Sequence, residues 1–332
     1  PLSMQPSTNM EWFTKALFGG KLIDSGKINI ITGIKESQLL NLLDIEGSIL
    51  QADGRNCSWT PEQIFKLSEK EIKIKTYKIN LEQCLDDLER KRTNIMLKPG
   101  AKNTELPEAL EDATMEMLAK DLSIEIETKI FAGDNSVDQN DFNGALKVLK
   151  GSTEAIKVEA VALTKNNILS ELERIYIRIP EDVLTKGLEN NSLVMYMSFT
   201  SLQKVRMSLA SVTNNNQIVA QNVTIDANGT IKYLDVELVA VKGIKDNSII
   251  ATDYTNFILG TDLLSDTEEI RLGQFPAPHD SKIFIDGRLR LGFVIPFEDE
   301  VVFYNPDVVT SPLSITPDTQ SATVQSSTNK TK

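Results

Sequence analysis

The longest regular pattern of apolar positions predicts a helix over residues 107–132. Pro107 lies in the first turn, where its missing N–H costs nothing, and Gly133 suits the C-terminal cap. At ~1.5 Å per residue the helix is about 39 Å long, which favours a strut across a flat subunit. Apolar residues recur in it at three- and four-residue spacing: Ala109 with Leu110, Ala113, Met117 with Leu118, Leu122 and Ile126.

A period-two pattern predicts a strand over residues 71–77, within a long segment of β structure at 48–80 that we call the basic excursion. Ile72, Ile74 and Thr76 alternate there with Glu71, Lys73, Lys75 and Tyr77, which is typical of a strand with one wet face. A short helix from residue 81 to about residue 96 is predicted to follow. The strand region is basic within an acidic chain, because it carries four lysines: Lys70, Lys73, Lys75 and Lys78.

The second half of the chain mixes helices with strands, so the pattern indicates an α+β fold. Helices are predicted at 164–177 and 201–209, on either side of a continuous apolar strand at 193–199. Strands dominate from 232 to 304, at 233–241, 248–251, 255–259, 282–286, 288–295 and 300–304. The tail from 311 to 332 is rich in Ser, Thr, Gln and Asn, and we expect it to be disordered.

Composition narrows the class of protein. Hydrophobic residues make up 41% and charged residues 25% of the chain, as in ordinary globular proteins. The formal net charge of −12 disfavours binding through nucleic acid phosphates, although an acidic wall could enclose DNA without gripping it. No run approaches the ~20 apolar residues of a membrane span. With no secretion signal, Cys57 and Cys84 are expected to be free thiols in a reducing cytoplasm.

The common catalytic and metal-binding patterns are missing, and we expect no enzyme activity, cofactor or metal. The single histidine, His279, lies between prolines in an expected turn, and no Gly-x-Ser-x-Gly elbow supports a triad built on it. The oxygen-rich stretch 134–143 departs from a calcium loop, because Gln139 and Ala145 stand where Gly and Glu are required. The carboxylates at 298–300 are expected to form a solvated turn.

The order of these elements resembles the major capsid proteins of tailed double-stranded DNA bacteriophages, the Hong Kong 97 fold, over residues 25–306. An extended arm and a basic excursion precede the long helix, and an alternating α/β region precedes a strand-rich return. Local motifs similar to those of the family are Phe131-Ala132-Gly133-Asp134-Asn135, Phe142-Asn143-Gly144-Ala145-Leu146, and the segments 233–239 and 256–262.

The resemblance implies a domain layout. Its parts are an N-terminal arm at 1–47, an extended loop at 48–80, a peripheral domain at 81–155 with a spine helix at 107–132, an axial domain at 156–231, peripheral return strands at 232–306, and a tail at 307–332.

The resemblance also implies a structural role. The chain would assemble with copies of itself into hexamers and pentamers of an icosahedral shell around packaged double-stranded DNA, without sequence-specific DNA binding. Assembly in the host cytoplasm would place it in the virion capsid, without a membrane. Expected partners are a portal, a separate scaffolding protein and a possible decoration protein.

Charge predicts where copies meet: the basic loop docks onto acidic peripheral surface of a neighbour. The alternative is a solvated strand face. The candidate contact residues are Lys70, Lys73, Lys75, Lys78, Asp262, Glu268, Glu269, Glu298, Asp299 and Glu300.

Two other functions stay open. One is a subunit of an encapsulin-like compartment, which uses the same fold to hold cargo. The other is an uncharacterised α+β enzyme that works through carboxylates.

Overall fold

A computed structural model describes residues 22, 25–46, 64–84, 108–212, 222–226, 229–262, 271–274 and 282–306. The tail at 307–332, which we expected to be disordered, and His279 lie outside these residues. In chain order the elements are β1 Asn29–Ile31, β2 Ser37–Glu46, β3 Ile64–Lys73, β4 Lys75–Cys84, α1 Glu108–Ala132, α2 Ala145–Gly151, β5 Ile156–Glu159, α3 Ile168–Ile177, α4 Glu181–Glu189, β6 Leu193–Met197, α5 Phe199–Val212, β7 Val223–Ile225, β8 Ile231–Tyr233, β9 Val236–Ala240, β10 Ile249–Asp253, β11 Ile258–Thr261, β12 Arg271–Gln274, β13 Lys282–Val294 and β14 Val302–Asn305.

The helix predicted over residues 107–132 is confirmed as α1, and we call it the spine helix. The C-terminal half of its apolar stripe is fully buried at Ile130 and Phe131. The Phe131 ring lies 5.4 Å from the Tyr196 ring and 6.2 Å from the Phe257 ring, so the helix ends in an aromatic core. None of the helices in the described residues is long and apolar enough to cross a membrane.

The larger sheet in the described residues has seven strands in the order β5-β14-β10-β6-β9-β8-β7. Its strand β6 reads as a continuous apolar run because both of its faces are buried. Val194 and Tyr196 face the core that includes the spine helix, whereas Leu193, Met195 and Met197 face a second core with α3, α4 and α5. The boundary predicted between 231 and 232 falls inside this single sheet.

The second sheet holds β1-β11-β13-β12 along one path, with β4 on the other edge of β13. Strand β13 is continuous over 13 residues, where the sequence predicted two strands. Gly287, which lies between the two predicted strands, is paired with Ile79 in an uninterrupted register from Lys282–Cys84 to Leu291–Lys75. A long antiparallel partner therefore holds the glycine in extended conformation.

The basic excursion differs from its prediction in extent and phase. Its hairpin begins at Ser37, inside the predicted arm, since β2 pairs with β3. The predicted strand at 71–77 is divided at Ile74, and the inward face changes there: Ile72 is buried before the break, whereas Thr76 is exposed and Tyr77 half-buried after it.

Two further elements were predicted incorrectly. Residues 81–84, expected to begin a helix, extend β4 because they pair with β13, and the rest of that predicted helix lies outside the described residues. The strand predicted at 233–241 is the hairpin β8–β9. Its two-residue turn places Leu234 at φ 46° and Asp235 at φ 67°, as a type I′ turn requires.

The N-terminal segment does not lie apart as an arm between residues 27 and 34. Strand β1 pairs in parallel with β11. Lys27 Nζ lies 2.7 Å from a carboxylate oxygen of Glu237 on β9, and the Tyr196 hydroxyl on β6 donates to the Lys27 carbonyl at 2.6 Å. This segment therefore ties the two sheets together.

Candidate assembly site

The described part of the hairpin is anchored at residues 70–75, here called the hairpin root. Ile72 is fully buried against Ile34 and Ile258, in a small apolar cluster separate from the two main cores. The Ile74 amide donates to the Glu36 carbonyl at 2.9 Å, which closes the root where β3 gives way to β4. The rest of β2 and β3 pair with each other beyond this anchor.

Lys70 and Glu298 were both predicted to contact a neighbouring copy, but the structure pairs them within one chain. Lys70 Nζ donates to Glu298 Oε1 at 2.5 Å, and the two side chains are 33% and 14% exposed. The charges are complementary as predicted, although here they hold the hairpin root against its own subunit.

The other three lysines have exposed or partly exposed side chains. Lys73 is 71% exposed and lies 3.1 Å from Glu71 on the same strand. Hydrogen bonds from Lys73 and then Ser37 lower the pKa of Glu71. Lys75 Nζ donates to the Gln139 carbonyl at 3.2 Å. Lys78 is exposed and stands directly opposite Arg288, so two like charges share an open strand face.

The acidic candidates separate into three groups. Asp262 is 1% exposed and pairs with Arg290 of the same chain, which leaves it little surface to offer a neighbour. Glu268 and Glu269 lie outside the described residues. Asp299 is exposed, and Glu300 is partly buried, where burial and then the charge of Asp299 raise its pKa.

A polar cluster at the end of the spine helix escaped the sequence analysis. Asp141, which is 7% exposed, accepts hydrogen bonds from the Tyr77 hydroxyl of β4 and, at 2.8 Å, from Lys129 Nζ of the spine helix. Burial alone would raise the pKa of Asp141, but the bonds from Lys129 and Tyr77 outweigh it and lower the pKa. Burial, and then the bond to Asp141, raise the pKa of Tyr77.

This cluster joins three elements at one point. Lys129 Nζ lies 5.0 Å from the centre of the Tyr77 ring, and that ring meets Phe142 edge-on at 6.2 Å. The sequence signal that could have revealed this cluster was Tyr77, because it is the one aromatic residue on the strand face that was predicted to face solvent.

The glycines of the resemblance motifs have a packing role beside this cluster. A Cβ on Gly133 would lie 2.6 Å from the Phe142 carbonyl oxygen, and one on Gly144 would lie 2.7 Å from the Gly133 nitrogen. The Gly144 amide donates to the Gly133 carbonyl at 2.8 Å. Only glycine allows the backbone after the helix to cross so closely.

The turn after the helix is closed by hydrogen bonds between its own residues. Asp134 accepts hydrogen bonds from the Ser136 hydroxyl at 2.6 Å and amide at 2.9 Å. These bonds, followed by the bond from Lys147, lower the pKa of Asp134 to about 2. Within the residues that the structure describes, no group of three His, Cys, Asp or Glu side chains could hold a metal ion.

No family model matches this sequence, and no curated relative matches it. Solved structures do match. A chain of the satellite phage P4 procapsid including size determination (Sid) protein aligns with a TM-score of 0.59 and 12% identity, over 91% of this chain and 92% of that one. The chain has the Hong Kong 97 capsid fold.

Two more structures agree. A chain of Gordonia phage Cozz aligns with a TM-score of 0.56 and 12% identity over 86% of both chains. A chain from the capsid of an empty GTA particle aligns with a TM-score of 0.53 and 9% identity over 91% of both. The α+β capsid fold predicted from the order of elements is therefore confirmed.

Proposed function

We propose that this chain is the major capsid protein of a tailed phage and assembles with copies of itself into a closed shell. One observation carries the proposal: the alignment with the P4 procapsid chain spans 91% of this chain and 92% of that one, so the likeness extends over nearly the whole length of both chains. A projecting hairpin of two strands is only marginally stable alone, which favours a subunit completed by its neighbours.

The finer organisation belongs to the same proposal. The subunits form hexamers and pentamers of an icosahedral shell around double-stranded DNA, and the net charge of −12 keeps the wall from gripping phosphates. A portal, a scaffolding protein and a possible decoration protein complete the virion capsid, which is assembled in the host cytoplasm. The subunit has no catalytic role in this proposal. The seven-stranded sheet is the main part of its axial domain.

The direct test is assembly. The full-length chain, expressed alone and with the genes encoded beside its own, is purified and imaged by electron microscopy after sedimentation analysis. Closed particles are expected, and neighbouring genes for terminase, portal and protease would indicate a phage. Particles filled with a cargo enzyme would instead indicate an encapsulin-like compartment. A compact monomer at high concentration under every condition would contradict the proposal.

Charge pairing between copies is the narrower part of the proposal. Lys70, Glu298 and Asp262 are paired inside the chain. Among the candidates that the structure describes, the exposed side chains left for docking are Lys73 and Lys78 on one subunit and Asp299 on the next, with Lys75 and Glu300 partly exposed. We expect Lys73→Glu with Lys75→Glu to lower the particle yield, because like charges then face each other.

The control for this reversal is Lys120→Glu with Lys150→Glu, which reverses two exposed lysines away from the hairpin. Particle yield is measured by sedimentation across a salt series, since screening weakens exposed pairs. Normal yield and normal salt tolerance in the Lys73→Glu/Lys75→Glu variant would leave only the alternative of a solvated strand face.

A further inference from the structure

Two glycines face each other beneath the hairpin root. In the antiparallel pair β11–β13, Gly260 is the register partner of Gly292. Cross-strand partners point to the same face of a sheet, so two adjacent side chains are missing there. We call Gly260 and Gly292 the glycine seat.

The hairpin root fills the glycine seat. A Cβ on Gly292 would lie 2.4 Å from the Lys73 carbonyl oxygen, and a Cβ on Gly260 would lie 2.6 Å from the Cδ1 atom of Ile72. The Gly292 contact involves backbone, which moves only if the strand moves. The Gly260 contact involves the end of a side chain, which is easier to displace.

Because the hairpin is long, a small change of its angle at the glycine seat would move its far end by a large distance. Strand β2 has ten residues, so at ~3.3 Å per residue the hairpin extends about 33 Å from its root. A tilt of about 10° at the root would therefore move the far end by about 6 Å. Beyond the seat, the described contacts that tie the hairpin to its own subunit include Leu40, which packs against the Ile72 cluster, and the Lys70–Glu298 pair. That ion pair is partly exposed and is therefore a weaker constraint than backbone packing.

We propose that Gly260 and Gly292 are positioning residues that set the direction in which the hairpin leaves the subunit, and thereby where it meets a neighbouring copy. The second half of this inference rests on the proposed capsid function; the first half does not. Their role differs from that of ordinary core glycines, because a substitution changes an angle and not only a packing energy.

Distances within the full-length chain test the direction. A spin label on native Cys57, in the segment between β2 and β3, is paired with one on Ser170→Cys, an exposed position of α3, in a Cys84→Ser background. Labelled chain is mixed into an excess of unlabelled chain, so that only distances within one copy are measured. We expect Gly292→Ala to shift or broaden this distance by about 6 Å, following the lever estimate. Gly151→Ala, where an added Cβ meets nothing within 4 Å, should leave it unchanged.

A compensating pair separates direction from stability. Gly260→Ala should shift the same distance by a smaller amount, and adding Ile72→Val should restore it, because valine lacks the Cδ1 atom that the new Cβ would meet. Removing that methyl group from a fully buried side chain lowers the melting temperature further. Compared with Gly260→Ala alone, the double variant should therefore have a hairpin direction closer to wild type but a lower melting temperature. This pair also decides the matter if Gly292→Ala does not fold.

Particle formation supplies the last readout. If the wild-type chain forms shells, Gly292→Ala should give malformed or fewer shells while keeping its circular dichroism spectrum. Wild-type distances in both folded glycine variants would overturn the inference. A wild-type chain that forms no shells would contradict the proposed function, whereas the distance measurements would still decide what the seat does.

Discussion

The Asp141 cluster allows a quantitative test of how the hairpin strand is joined to the spine helix. Asp141→Asn keeps the size of the side chain but removes the charge that accepts hydrogen bonds from Lys129 and Tyr77. A hydrogen bond to a charged group contributes about 1.5–3 kcal/mol. Lys129 is 35% exposed and is hydrated again when it loses its partner. We therefore expect the free energy of unfolding to fall by about 2 kcal/mol, which is less than the cost of leaving a buried charge without a partner.

The dependence on pH identifies the charge as the cause. The pKa of Asp141 is lower in the folded chain than the unfolded value of about 3.9. The carboxylate therefore adds stability above about pH 4, and this stability is lost as the pH falls through the folded-state pKa. The difference in the free energy of unfolding between wild type and Asp141→Asn should have its largest value at pH 7 and should become steadily smaller below about pH 4.

The assay is urea unfolding followed by circular dichroism, on dilute chain that has not assembled. Asp121→Asn, an exposed position on the spine helix, is the control and should change stability by less than about 0.5 kcal/mol. Tyr77→Phe keeps the ring contacts but removes the hydrogen bond to the Asp141 carboxylate, and it should cost about 1.5 kcal/mol. A difference between wild type and Asp141→Asn that is the same at pH 3 and pH 7 would show that shape, and not charge, determines the effect.

Three other outcomes are expected. Gly144→Ala should lower the free energy of unfolding by about 3 kcal/mol, because its Cβ would meet backbone at 2.7 Å, whereas Gly151→Ala in open space should be neutral or slightly stabilising. Lys27→Met should cost about 1–2 kcal/mol in the same urea assay, because it leaves Glu237, whose side chain is 19% exposed, without its partner, and replacing Glu237 by Gln as well should recover part of this loss. Ending the chain after 311 should leave it soluble and folded; insoluble protein would contradict this.

The elements that could be predicted from sequence are those whose signal is local. The spine helix was predicted to within one residue at each end, because its apolar stripe lies within it and the proline and glycine that mark its ends lie directly beside it. Helix α4 also carried local signals, Pro180 before it and Glu181 and Asp182 in its first turn. It was missed because Pro180 was interpreted only as the end of the preceding helix.

The errors occurred where distant segments decide the structure. Residues 81–84 form strand because β13, some 200 positions further along the chain, offers a paired edge. The turn at Leu234 and Asp235 has neither Asn nor Gly, so the usual signal of a type I′ hairpin is missing. Charge pairs were equally hidden: composition suggested that Lys70 and Glu298 attract, but not that they meet in the same chain.

The contacts divide the subunit into a rigid part and a steerable part. Where the chain leaves the spine helix, at Gly133 and Gly144, backbone packs on backbone, which leaves no side chain to rearrange. The hairpin is different, because among the described residues it is held near its root, by the glycine seat, the small apolar cluster around Ile72 and one partly exposed ion pair. Substitutions in the rigid part should therefore change stability. Substitutions at the root should change the position of a lever about 33 Å long, and so alter assembly while leaving the fold intact.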